Sequence, residues 1–167
     1  MNLSELHILS KRVGIKLKQQ SHLLVTAESC TGGGIATAIT EVSGSSAWFD
    51  RAFVTYSNEA KMEMLQVSES TLQQFGAVSE ETVKEMALGA LQYSRGTYAI
   101  SVSGIAGPTG GTDEKPVGTV CFAWANTQGE LEIETMNFNG SREEVRLQAC
   151  WHALEHLEDM LDKTEQM

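Results

Sequence analysis

The sequence predicts an α/β sandwich built on a mixed sheet. Three observations carry this. Short apolar runs rich in β-branched residues alternate with segments whose apolar residues recur every three or four positions. Polar or glycine-rich turns follow the first three of those runs, as at the strand ends of an open sheet. The last two runs are separated by Asn126-Thr127-Gln128-Gly129, a hairpin signal that makes part of the sheet antiparallel.

Leu3, Leu6, Leu9, Val13 and Leu17 define an opening amphipathic helix that breaks at Ser21-His22. Residues 23–27 (LLVTA) read as a buried strand, 28–34 as a turn ending in three glycines, and 35–41 as a helix. A second strand is expected at 53–56, then helices at 58–65 and 68–75. Ser79 caps a further helix with Glu80 and Glu81 in its first turn, and Arg95-Gly96 ends it. A third strand covers 98–103, a loop with Pro and glycines covers 104–116, and two strands at 119–125 and 131–138 form the hairpin. Ser141-Arg142-Glu143-Glu144 has the spacing of a capping box, opening a helix to about residue 162.

The 167 residues suffice for one domain, 1–167, and not for two. Hydrophobic residues at 41% and charged residues at 20% are ordinary for a globular chain that buries a core without disulfides. With 12 basic and 22 acidic residues the net charge is −10, which argues against a nucleic-acid partner and requires any anionic ligand to be held by a local cluster of donors. The first 20 residues contain no apolar run, so the chain reads as cytoplasmic with no membrane partner. Cys30, Cys121 and Cys150 lack paired spacing. His152 and His156 stand four apart on a predicted helix, but no third ligand lies near them in sequence, so they read as surface residues and no metal is expected.

Chemistry is concentrated in the turns. Residues 26–34 (TAESCTGGG) place Ser29 and Cys30 between a strand end and a helix start; the segment is either a ligand-binding turn or a plain turn whose hydroxyls cap the next helix. It is not a P-loop, because no Lys follows the glycines. Lys61, after the second strand, is a general base if desolvation lowers its pKa, and otherwise a solvated helix lysine. In 103–111 (SGIAGPTGG) small residues allow a ligand to lie against bare backbone, or else form a flexible loop. Arg142 and Arg146 oppose the dipole at a helix start, which suggests a bound anion; ion pairs with Glu143 or Glu144 are the alternative.

Residues 26–33 (TAESCTGG), 44–46 (GSS), 54–58 (VTYSN) with Lys61, 76–79 (GAVS), 103–108 (SGIAGP), 115–120 (KPVGTV) and 140–142 (GSR) together resemble the CinA C-terminal-domain family over nearly the whole chain. The resemblance implies a three-layer α/β/α sandwich with a mixed, mostly parallel sheet, and a homodimer. It also implies nicotinamide-nucleotide amidase activity, in which nicotinamide mononucleotide and water give nicotinic acid mononucleotide and ammonia, within pyridine-nucleotide (NAD) recycling. Ser29 then matches the nucleophile and Lys61 the general base, Tyr56 and Ser103 line the site, and Arg142 lies near the substrate. Ala52 stands where the family commonly has Gly, and Ser141 where it commonly has Asp; neither change removes a reacting group.

On this footing Ser29 attacks the carboxamide and Lys61 takes its proton, with Tyr56 as a possible relay. Backbone N–H groups of Thr31, Gly32 and Gly33 stabilise the oxyanion. The ribose phosphate lies along Gly104, Ala106 and Gly107 and the start of the Arg142 helix. No cofactor is expected. Cys30 is a rival nucleophile with no histidine in an obvious partner position. The alternative from another class is a nucleotide-binding regulatory module without turnover, distinguished by binding without ammonia release.

Overall fold

The computed structural model describes residues 1–165. Five strands, β1 (Leu24–Glu28), β2 (Phe49–Val54), β3 (Tyr98–Gly104), β4 (Thr119–Asn126) and β5 (Leu131–Asn137), form one sheet in the order β2-β1-β3-β4-β5. β1 pairs in parallel with β2 and β3, while β4 is antiparallel to both β3 and β5, so four of the five strands run the same way. Helices α1 (Leu3–Gln19), α2 (Gly34–Thr40) and α6 (Arg142–Glu165) cover one face. Helices α3 (Asn58–Leu65), α4 (Glu69–Phe75) and α5 (Glu80–Gln92) cover the other, completing three layers. No described helix is long and apolar enough to cross a membrane.

The two-residue period of β3 and β4 sorts side chains by size. Tyr98, Ile100, Val102, Val120, Phe122 and Trp124 fill the α1/α6 side. Ala99, Cys121, Ala123 and Ala125 face α5. These small residues let α5 lie close to the sheet, and Ser101 Oγ donates to Val83 O of α5. The buried Trp124 indole N–H is satisfied by Ala153 O at 2.9 Å. Caps follow the sequence pattern: Ser79 accepts from Thr82 N, and Ser141 and Glu144 form the reciprocal box at the start of α6.

The main departure is β2, which begins at Phe49 and ends at Val54 rather than covering 53–56. It is an edge strand that stays partly exposed, so Asp50 and Arg51 interrupt the apolar pattern. Thr55 and Tyr56 therefore leave the sheet and become part of the loop above it. α5 also ends at Gln92, three residues before Arg95.

Gly89 in α5 marks the tightest helix contact. A Cβ there would lie 2.1 Å from Leu65 O at the end of α3. In an open helix Gly→Ala stabilises by roughly 0.5–1 kcal/mol. Here Gly89→Ala is expected to destabilise by about 1–3 kcal/mol through overpacking, lowering the thermal midpoint by several degrees. An unchanged or raised midpoint would show that α3 and α5 are not locked together at this point.

Candidate active site

β1, β2 and β3 are parallel, so their C-terminal ends open at one edge of the sheet and bring three loops together. Ser29 follows β1 directly and its N–H donates to Val102 O at 3.0 Å, extending the ladder with β3 by one bond. The chain then turns sharply, with Gly32 N–H donating to Ser29 O at 3.0 Å. Gly32 and Gly33 have φ of 57° and 94°, a left-handed conformation that favours glycine.

Glu28 organises this turn. It is fully buried, and its carboxylate accepts from Thr26 Oγ1 (3.0 Å), Thr31 Oγ1 (2.7 Å), Ile35 N (2.9 Å) and Ala36 N (3.0 Å). The α2 N-terminus is thus satisfied by the Glu28 side chain, and no turn hydroxyl caps it. Sequence reasoning missed this residue. The available signal was an acidic side chain flanked by threonines at the end of an apolar run, where a charge is retained only with a full set of donors.

Lys61 is 1% exposed and Ser29 is 8% exposed. The Lys61 Nζ lies 3.0 Å from Ser29 Oγ and donates to Thr55 O at 2.9 Å. Among the described residues no carboxylate pairs with it. Burial holds its pKa below the ordinary lysine value. The reading of a solvated helix lysine is thereby excluded. An amine that is neutral for part of the time, in hydrogen-bond range of a hydroxyl, is equipped to remove that hydroxyl's proton. Burial acts the opposite way on Cys30, whose thiol is pushed up to about 12. The thiolate needed for attack is therefore scarce.

The other expected residues take distinct places. Ser103 is buried in β3 next to Val102, whose carbonyl receives the Ser29 N–H. Tyr56 is 63% exposed, and its hydroxyl accepts from Arg142 Nη2 at 3.2 Å rather than bonding Ser29 or Lys61. Arg142 Nη1 also donates to Gly107 O at 2.8 Å, so this one guanidinium joins α6 to the loops after β2 and β3. Arg146 donates to Cys30 O at 3.0 Å and Thr31 O at 3.2 Å, clamping the turn that follows Ser29. Both arginines thus bond groups of the site loops instead of Glu143 or Glu144.

Gly104 and Gly107 of the β3 loop are packed against protein on the side a Cβ would occupy. A Cβ on Gly104 would meet Val120 Cγ2 at 2.7 Å, and one on Gly107 would meet Val117 Cγ1 at 2.4 Å. The space of the missing side chains is filled by protein, and Ala106 is buried. A cavity of about 770 Å³ borders the same turn through Thr31, Gly32 and Arg146, on the side facing α1 and α2. Ser29 and Lys61 do not line it. The fold also supplies what the sequence did not for His152 and His156, bringing Glu134 of β5 beside them.

Comparison with known proteins agrees with this arrangement. The sequence profile of the CinA C-terminal domain matches residues 6–161. A protein of Escherichia coli strain K12 named nicotinamide-nucleotide amidohydrolase PncC is 57% identical over 157 residues, covering 94% of this chain and 95% of that protein. A longer CinA-like protein of Geobacter sp. strain M21 is 49% identical over 153 residues, which is 92% of this chain and 37% of its own length. Among solved structures, the competence/damage inducible protein CihA of Agrobacterium tumefaciens superposes with a TM-score of 0.91 at 46% identity, covering 94% of this chain and 95% of that one. The CinA superfamily protein KP700603 of Klebsiella pneumoniae gives 0.92 at 42% identity, covering 98% and 99%. With its strand-end serine and buried lysine set in this shared fold, the chain belongs to the CinA C-terminal domain family.

Proposed function

We propose that this protein is a single-domain nicotinamide-nucleotide amidohydrolase that converts nicotinamide mononucleotide and water to nicotinic acid mononucleotide and ammonia. The observation that carries the mechanism is the buried Lys61 Nζ, 3.0 Å from Ser29 Oγ and without a carboxylate partner among the described residues. The relatives named for this activity match the chain almost end to end.

In this reading neutral Lys61 takes the Ser29 proton as Oγ attacks the carboxamide carbon. The resulting ammonium returns the proton to the amide nitrogen, the C–N bond breaks and ammonia leaves. Water, deprotonated by Lys61, then opens the acyl-enzyme and restores Ser29. Gly32 N–H is already bonded to Ser29 O, which leaves Thr31 and Gly33 N–H as the oxyanion donors. Tyr56 accepts from Arg142, so its own proton is free to reach substrate or the leaving group. The phosphate lies against Arg142 and the loop carrying Ala106 and Gly107. The reading is completed by a homodimer in the cytoplasm, with no nucleic-acid partner and no cofactor, acting in NAD recycling.

Ammonia release from nicotinamide mononucleotide in the presence of a chelator tests the function. Ser29→Ala and Lys61→Ala should each lower kcat/KM by about 10³-fold or more, with the double variant little worse than either, while Cys30→Ala retains activity. Loss on Cys30→Ala with retention in Ser29→Ala would reverse the assignment of nucleophile.

The two arginines should separate kinetically. Arg142→Ala removes a charge-assisted contact worth about 1.5–3 kcal/mol and should raise KM for the mononucleotide accordingly, with little effect on nicotinamide riboside. Arg146→Ala frees the Cys30 and Thr31 carbonyls and should lower kcat on both substrates alike. The reverse pattern would place the phosphate at Arg146.

A further inference from the structure

On the side of the sheet covered by α6, edge strand β5 carries two carboxylates where an apolar pair would be ordinary. The register puts Glu134 opposite Phe122 and Glu132 opposite Trp124, two aromatics of the main core. His152 and His156 lie one turn apart on the facing side of α6. One donor atom from each of Glu134, His152 and His156 falls within 4.8 Å of the other two.

These side chains are not paired in the usual ways. The Nε2 atoms of both histidines are buried and have no hydrogen-bond partner among the described residues. They nonetheless face carboxylates: His152 Nε2 is 3.5 Å from Glu134 Oε1, and His156 Nε2 is 3.3 Å from Glu132 Oε1. His156 Nδ1 is 3.5 Å from the other Glu134 oxygen. Two donors each about 2.1 Å from a tetrahedral ion stand roughly 3.4 Å apart. Each of the three N···O separations, 3.3–3.5 Å, is close to that spacing.

We propose that Glu134, His152 and His156 form a binding site for one divalent transition-metal ion of the zinc class. Two imidazoles with one carboxylate suit zinc, nickel or copper, whereas magnesium and calcium call for oxygen donors. Glu132 completes the set, either as a fourth donor or by orienting His156 through its second nitrogen. The rings are already held. His156 lies against the Trp124 ring at 3.8 Å between centroids, and His152 meets Phe122 edge-on at 4.9 Å. Little side-chain freedom is lost on binding.

The ion pins the edge strand to the helix that carries Arg142 and Arg146. At 1.5 Å per residue, His152 is about 15 Å along that helix from Arg142, and none of the four side chains bonds a residue of the Ser29 turn. The proposal does not depend on the amidase reading.

Chelator-treated protein titrated with zinc chloride by calorimetry should bind one equivalent and gain in thermal midpoint. Cobalt(II) should give the absorption of a nitrogen and oxygen site without a thiolate charge-transfer band. Glu134→Gln, which is isosteric, and His152→Ala should each weaken zinc binding by about 10–100-fold or more, while the metal-free Glu134→Gln protein keeps its thermal midpoint and its ammonia release. Absence of saturable binding, binding untouched by these substitutions, or a cobalt thiolate band pointing to Cys30, Cys121 or Cys150 would each overturn the proposal.

Discussion

The Lys61 side chain has almost no exposed surface, and among the described residues its amine hydrogen-bonds only to the Ser29 hydroxyl and the Thr55 carbonyl. That arrangement disfavours the charged form, and the fold must hold it in place against the cost of desolvation. Between the depressed native pKa and the ordinary lysine value the unfolded state binds more protons. Stability therefore rises with pH across that window, and Lys61 works against stability below it. The residue is best understood as a functional constraint for which the packing around it compensates.

The surrounding structure supplies that compensation locally. Glu28 fixes the turn bearing Ser29 by accepting four hydrogen bonds, and it satisfies the start of α2 at the same time. From the opposite layer boundary, α6 reaches over the site with two arginines. Arg146 holds the Cys30 and Thr31 carbonyls after Ser29, and Arg142 joins the loops after β2 and β3. In a chain of net charge −10 these two guanidinium groups give this edge of the sheet a local positive charge.

Much of this was legible in sequence because local chemistry and fold agree. The β-branched runs became strands, the Ser79 cap and the Ser141 capping box became helix starts, and Ser29 and Lys61 stood after successive parallel strands. The misses share a cause, since each depends on what lies across space. β2 was misplaced because an edge strand tolerates Asp50 and Arg51. Glu28 was passed over because its donors come from the turn and helix that follow it. That Val120 and Val117 pack on the Cβ side of Gly104 and Gly107 could not be read from the loop's own composition. The partners of His152 and His156 sit on β5, which no helical spacing could bring into view.

The central claim is that burial, with no carboxylate partner among the described residues, holds the Lys61 pKa below the ordinary lysine value. NMR titration of lysine side-chain nitrogen and ε-carbon signals, with Lys61 assigned by its loss in Lys61→Met, measures this directly. The account predicts one lysine titrating well below the reference of about 10.4, with Ser29→Ala leaving that value depressed because burial is its cause. A Lys61 signal titrating with the surface lysines would contradict the proposed general base and the mechanism built on it.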